Sequence, residues 1–135
     1  MQQDSTPAFP IYPVGRALLG LLFLISGILK ISSFSGVAAW MASAGLPFAS
    51  VALVLAILVE IGGGLLLVVG WQARIAAAVL ALFLIPVTLI FHGFWSADAA
   101  NAQNQLNHFL KNVAIFGGML MVFAVETSAA ASRKA

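Results

Sequence analysis

Residues Ala56–Gly70 read AILVEIGGGLLLVVG, an apolar run interrupted by a single carboxylate, Glu60. A helix at a protein–water boundary shows polar residues on its outer face, whereas one that is apolar all round lies in a large core or in lipid. In lipid such a helix needs no polar outer face. Composition points the same way: 62% of the residues are hydrophobic and 7% charged, against about 25% charged in a typical soluble domain. The chain therefore reads as an integral membrane protein. Six basic and four acidic groups give a formal charge of +2, too few and too scattered for a nucleic-acid surface. There is no cysteine, hence no disulfide and no thiol redox chemistry of its own.

Four apolar segments are legible: Val14 to Ile31, Ser50 to Val69, Arg74 to Trp95 and His108 to Val125. Each is long enough to cross a ~30 Å hydrocarbon core at ~1.5 Å per residue. The predicted fold is all-α, a polytopic bundle of four transmembrane helices spanning 14–126, with an interfacial tail at 1–13 and a cytoplasmic tail at 127–135. In the first tail, the proline-rich TPAFPIYP places Phe9 and Tyr12 at headgroup level. MASAG after the first segment resembles a signal-cleavage pattern, but Lys30 and more than ten residues separate it from the apolar core, so the segment is expected to stay.

GWQA is so short that the second and third helices form an antiparallel hairpin. The two longer loops share the opposite face. FSGVAAWMASAGLP is expected to hold a short surface helix around Trp40 and Met41, ended by Gly45 and Pro47, and SADAANAQNQLN reads as an exposed polar loop. Arg16, Arg74, Arg133 and Lys134 lie on the face of the short turn, which the positive-inside rule assigns to the cytoplasm together with both termini. LFLI recurs at 22–25 and 82–85, and GGLLLV resembles GGMLMV, as two hairpins related by an axis along the membrane normal would require; short words shared by chance account for the recurrence equally well.

The depths of the polar residues can be counted. Lys30 lies fourteen residues after Arg16 and Glu60 fourteen before Arg74, each ~21 Å from the arginine edge. Lys111, fifteen before Glu126, reaches nearly the same level, and His92, eighteen after Arg74, lies ~6 Å further out. Faces agree with depths: Arg16, Gly20, Phe23, Gly27 and Lys30 share one stripe, and Glu60, Gly63, Gly64 and Leu67 another, so small residues draw the backbones together where the charges are. The third helix carries Arg74, Ala78, Ala81, Ile85, Thr88, His92 and Trp95 on one stripe, and on the fourth Lys111 and Asn112 are followed by Ile115 and Gly118.

A charge at mid-helix costs about 2.5–3.5 kcal/mol on insertion scales, so Glu60 is expected inside, paired with Lys30 or Lys111 or else protonated. It is a structural pin or part of a working site. For the lysines the competing reading is snorkelling to the headgroups, and for His92 a place in an aromatic belt. His92 and His108 with two lysines do not form a zinc or iron set; haem ligation needs both histidines inward, and His108 is read as a water-facing residue at a loop edge. No serine or threonine has the histidine and carboxylate a nucleophile requires.

GRALLGLLFLISGILK, GLP, VEIGGGLLLVVGWQAR, FHGFW and FLKNVAIFGG, in this order, resemble the DoxX family of small bacterial membrane proteins over roughly Val14 to Ala124. The resemblance implies four transmembrane helices, a multi-pass protein of the bacterial plasma (inner) membrane, and Arg16, Lys30, Glu60, Arg74, His92, Lys111 and Asn112 as family-pattern positions. It also suggests association with quinone-linked or redox-defence oxidoreductases, although a shared fold does not transfer a reaction. Three functions compete. The first is a membrane component of such a system, with Lys30, Glu60, His92, Lys111 and Asn112 binding a quinone headgroup or a small anion; the others are a non-enzymatic scaffold for a redox enzyme and a small-molecule transporter. The sequence leaves open whether the chain is an enzyme. It implies no intrinsic cofactor beyond a quinone; the lipid bilayer, a redox enzyme and a second copy of the chain are the candidate partners.

Overall fold

A computed structural model describes residues 10–134; Phe9 lies outside them. Five α-helices follow one another: α1 Ile11–Ser32, α2 Phe34–Ser43, α3 Ala49–Val69, α4 Ala73–Phe91 and α5 Ala102–Ser132, with a single 3₁₀ turn at Phe94–Ser96. Helices α1, α3 and α5, and α4 continued through the turn to Ser96, are long and apolar enough to cross a membrane. The four-span reading holds. Exposed Leu18, Ile25, Leu58, Leu82, Met121 and many similar residues are the outward face expected of helices solvated by lipid rather than water.

Several boundaries differ from the sequence reading: α1 and α5 begin earlier and α5 ends later, while α4 stops at Phe91, short of Trp95. Helix α1 begins at Ile11, so Tyr12 is helical and points inward, its hydroxyl donating to Glu126 Oε1 at 2.8 Å. Helix α5 begins at Ala102 and continues through Ser132. AQNQLN is therefore two turns of helix rather than loop, and residues 127–132 extend the same helix. At ~1.5 Å per residue its 31 residues exceed the ~30 Å core, so α5 projects beyond the hydrocarbon.

Chain order fixes the packing. Helix α1 lies along α3, α3 along α4, and α4 along α5, while α5 returns to α1 more lightly. The α1–α3 contact is the closest because Gly20 and Gly27 face Gly64 and Ile61: a Cβ on Gly20 would sit 2.6 Å from the Gly64 carbonyl oxygen. In lipid, where apolar surfaces gain nothing from water exclusion, such backbone contact is what holds helices together. The α3–α4 hairpin turns at Gly70, whose φ of 76° closes α3 in the left-handed conformation that glycine adopts without strain. The expected short surface helix is α2, which seats Met41 on Leu53 and Ile57 of α3. On α4 the buried stripe is Ala73, Ala77, Ala81, Leu84 and Thr88; Arg74 and Ile85 of the expected stripe turn outward.

Candidate functional site

Between the last turn of α1 and the middle of α3 lies an ion pair. Lys30 Nζ lies 3.0 Å from Glu60 Oε2 and 3.1 Å from Oε1. Ser26, one helical turn before Lys30, completes the arrangement: its hydroxyl donates to Glu60 Oε1 at 2.9 Å and accepts from Lys30 Nζ at 2.7 Å. The Gly27 contact makes this possible, since its missing side chain lets α1 approach Glu60 and Ile61. Glu60 is sealed and Lys30 is not; their side chains are 6% and 29% exposed. Both carboxylate oxygens face the ammonium, but only Oε1 receives aligned donors. Oε2 is buried with the ionic contact alone and no hydrogen bond, an unusual state for a buried polar atom.

Lys30 and Glu60 share a cavity of about 140 Å³ with His92, Trp40, Phe91 and Met41. Trp40 of α2 and Phe91 of α4 pack with ring centroids 4.7 Å apart, so the short surface helix closes the cavity from the loop end. Its volume is below the ~300 Å³ of a typical drug-sized pocket and equals about four or five waters at ~30 Å³ each. A small headgroup or a few waters fit.

His92 is held from α5. Its Nδ1 is 3.0 Å from Gln105 Oε1, a hydrogen bond that fixes the orientation of the ring. His108 stacks on His92 with centroids 5.0 Å apart and planes at 20°. It is half-buried, not at a loop edge facing water, because the early start of α5 carries it into the bundle.

The structure thus brings together three of the five residues expected at the site, Lys30, Glu60 and His92. Asn112 is elsewhere: its amide donates to Thr88 Oγ1 at 3.0 Å, in a groove between α4 and α5 bordered by Phe109. Lys111 is exposed and makes no hydrogen bond or ion pair among the described residues. Its depth matches that of Glu60 but its azimuth does not. Ser26 and Gln105 were missed, and for Ser26 the signal was available: four residues before Lys30 is one turn on the same face.

A second polar network ties the arginine end. Arg16 Nη1 reaches Glu126 Oε1 at 3.3 Å while Arg16 Nε donates to the Leu67 carbonyl at 2.9 Å. With Tyr12 on the same carboxylate, α1, α3 and α5 are joined there.

The DoxX family model matches residues 12–93, which includes Lys30, Glu60 and His92 and ends before α5. Inner membrane protein YqjF of Escherichia coli (strain K12) is 35% identical over 109 residues, 81% of this chain and 78% of the relative. Inner membrane protein YphA of the same organism is 28% identical over 109 residues, with the same coverage of each chain. No solved structure matches the chain. A family model that covers α1 to the end of α4, the four-span architecture and these relatives agree, and the chain belongs to the DoxX family.

Proposed function

We propose that this is a multi-pass protein of the bacterial inner membrane, with both termini cytoplasmic, whose Lys30–Glu60–His92 cavity binds the headgroup of a quinone as part of a quinone-linked or redox-defence oxidoreductase system. The names of the relatives support the membrane, and the asymmetry of Arg16, Arg74 and Arg133 supports the orientation. The observation that carries the site is the cavity of about 140 Å³ that Lys30, Glu60 and His92 share. Lys30 would donate to a carbonyl on the ligand, and His92 would meet a second oxygen.

With Lys111 outside, the charges of Lys30 and Glu60 cancel. A neutral headgroup with carbonyl or hydroxyl oxygens is the better match. Quinone reduction takes two electrons and two protons; a partner redox enzyme would deliver the electrons, and the His92 imidazole, which carries two ring nitrogens able to donate or accept, is placed to pass protons. The chain's own part is binding and proton transfer, so electron transfer rests with the partner.

Native mass spectrometry of protein extracted in mild detergent tests the reading. The expected spectrum shows a quinone at one per chain, lost in His92→Ala; protein that carries phospholipid and never quinone would leave Lys30–Glu60 as a structural pin and favour the scaffold. Orientation has its own test. A periplasm-dependent reporter fused after Ala135 should be inactive and a cytoplasm-dependent one active, and the reverse would invert the topology.

A further inference from the structure

At the arginine end, away from the Glu60 cavity, a second cavity of about 310 Å³ opens between the α3–α4 turn and the last turns of α5. Arg74, Arg133 and Glu126 line it, with Ala73, Trp71 and Ala130. The charges do not balance. Glu126 is already committed to Arg16 and Tyr12, while Arg74 and Arg133 form no ion pair among the described residues. Among the described residues, two guanidinium groups therefore border the cavity with Glu126 as its one carboxylate, and that carboxylate already answers Arg16. The first turn of α4 adds to the field: its N-cap residue, Gln72, makes no side-chain cap, so the initial backbone N–H groups are open and the positive end of the helix dipole is uncompensated.

The cavity sits at the end of the α4–α5 seam: Arg74 is one helical turn before Ala78 on α4, and Glu126 three residues after Phe123 on α5. Above it, Ala77, Ala78 and Ala81 of α4 with Leu120 and Phe123 of α5 form an apolar groove of about 260 Å³. That groove shares Ile85 and Phe116 with a third cavity of about 190 Å³, which reaches Leu89 and Phe109. From Ala77 to Leu89 the trough runs ~18 Å at ~1.5 Å per residue. One end is cationic and the rest is apolar and open to the bilayer, which is the shape of a phospholipid.

We infer that the α4–α5 face is a binding site for one anionic phospholipid, its phosphate held by Arg74 and Arg133 and one acyl chain lying in the groove over Ala77, Ala78 and Ala81. Guanidinium groups offer paired N–H donors that match phosphate oxygens, and basic pockets at the ends of transmembrane helices are a recurrent way of holding such headgroups. Trp71, 67% exposed beside the cavity, sits as interfacial tryptophans do at headgroup level. A free phosphate would use the arginines but not the groove, and the alignment of both along one α4–α5 seam commits the site to a lipid.

Delipidated full-length protein in mild detergent, titrated with phosphatidylglycerol, phosphatidylethanolamine or inorganic phosphate and read by native mass spectrometry, tests this. Wild type should take up one phosphatidylglycerol at least ten-fold more tightly than phosphatidylethanolamine, and Arg74→Gln/Arg133→Gln should reduce that preference to less than two-fold. Ala78→Phe, which fills the groove at a half-buried position, should weaken phosphatidylglycerol at least five-fold, and Lys111→Gln should change nothing. The double arginine variant alters only exposed side chains, and its helical circular dichroism reports folding. Equal binding of the two lipids by wild type, or an undiminished preference in the double variant, would overturn the site. Phosphate displacing the lipid from wild type at millimolar concentration, with Ala78→Phe binding lipid normally, would overturn the acyl-chain half and leave a free-anion pocket.

Discussion

Glu60→Ala will lower the stability of the bundle by about 3 kcal/mol, near the foot of the ~3–5 kcal/mol range for breaking a buried pair from one side. Lys30 loses its only carboxylate among the described residues, and Ser26 loses the acceptor for its hydroxyl. The loss sits at the lower end because Lys30 is 29% exposed and can turn its ammonium toward the headgroups. Removing both charges should be milder than removing one, since two well-packed apolar residues leave no uncompensated ion. Glu60→Met with Lys30→Met is thus expected to recover most of the stability, measured by reversible unfolding of purified protein in mixed micelles. A double variant as unstable as Glu60→Ala would show that packing around Ser26, not charge, is what the pair provides.

Gly64→Val will have an effect at least as large, by prying α1 from α3. A Cβ at Gly64 would stand 2.7 Å from the Gly20 carbonyl oxygen and 2.7 Å from the Leu24 backbone nitrogen. Backbone atoms cannot step aside as a flexible side-chain end can, so the helices must separate. Overpacking typically costs about 1–3 kcal/mol, and the cost here is expected above that range because separation also lengthens the Lys30–Glu60 contact. Gly62 and Gly117 are the controls, with nothing within 4 Å of an added Cβ. Alanine at either should leave stability within about 1 kcal/mol of wild type or raise it slightly, through its better helix propensity. Folded yield from detergent and unfolding midpoints distinguish the two classes; a Gly64→Val protein as stable as Gly62→Ala would remove the close α1–α3 approach from the account.

Why the sequence disclosed one part of the site and misplaced another follows from what each signal measures. Apolar length places a span in lipid, and residue counting from an edge arginine gives depth; both succeeded for Lys30 and Glu60 because the Gly20–Gly27 stripe also fixed the azimuth of α1. On α5 the expected stripe of Lys111, Asn112, Ile115 and Gly118 divides: the last three are half-buried, whereas Lys111, level with Glu60 by depth, is turned outward. Lys111 and Asn112 are neighbours in sequence, yet ~100° of helical rotation separates their directions. His108 was misjudged for a different reason. The polar run AQNQLN, typical of a loop, is helix, and two added turns carry the imidazole inward onto His92. Arg16, Tyr12 and Glu126 illustrate a third limit: charge at a membrane edge marks topology equally well whether or not the charges pair, and only the packed bundle shows that they do.

Quinone-analogue titration of wild type, His92→Ala and Lys111→Ala, each shown to be folded, is the measurement closest to the central claim. The cavity of Lys30, Glu60 and His92 excludes Lys111, so the two variants must part company. Lys111→Ala should bind as wild type does, and His92→Ala should bind at least ten-fold more weakly. Binding that falls equally in both, or that is absent from wild type, would contradict the site.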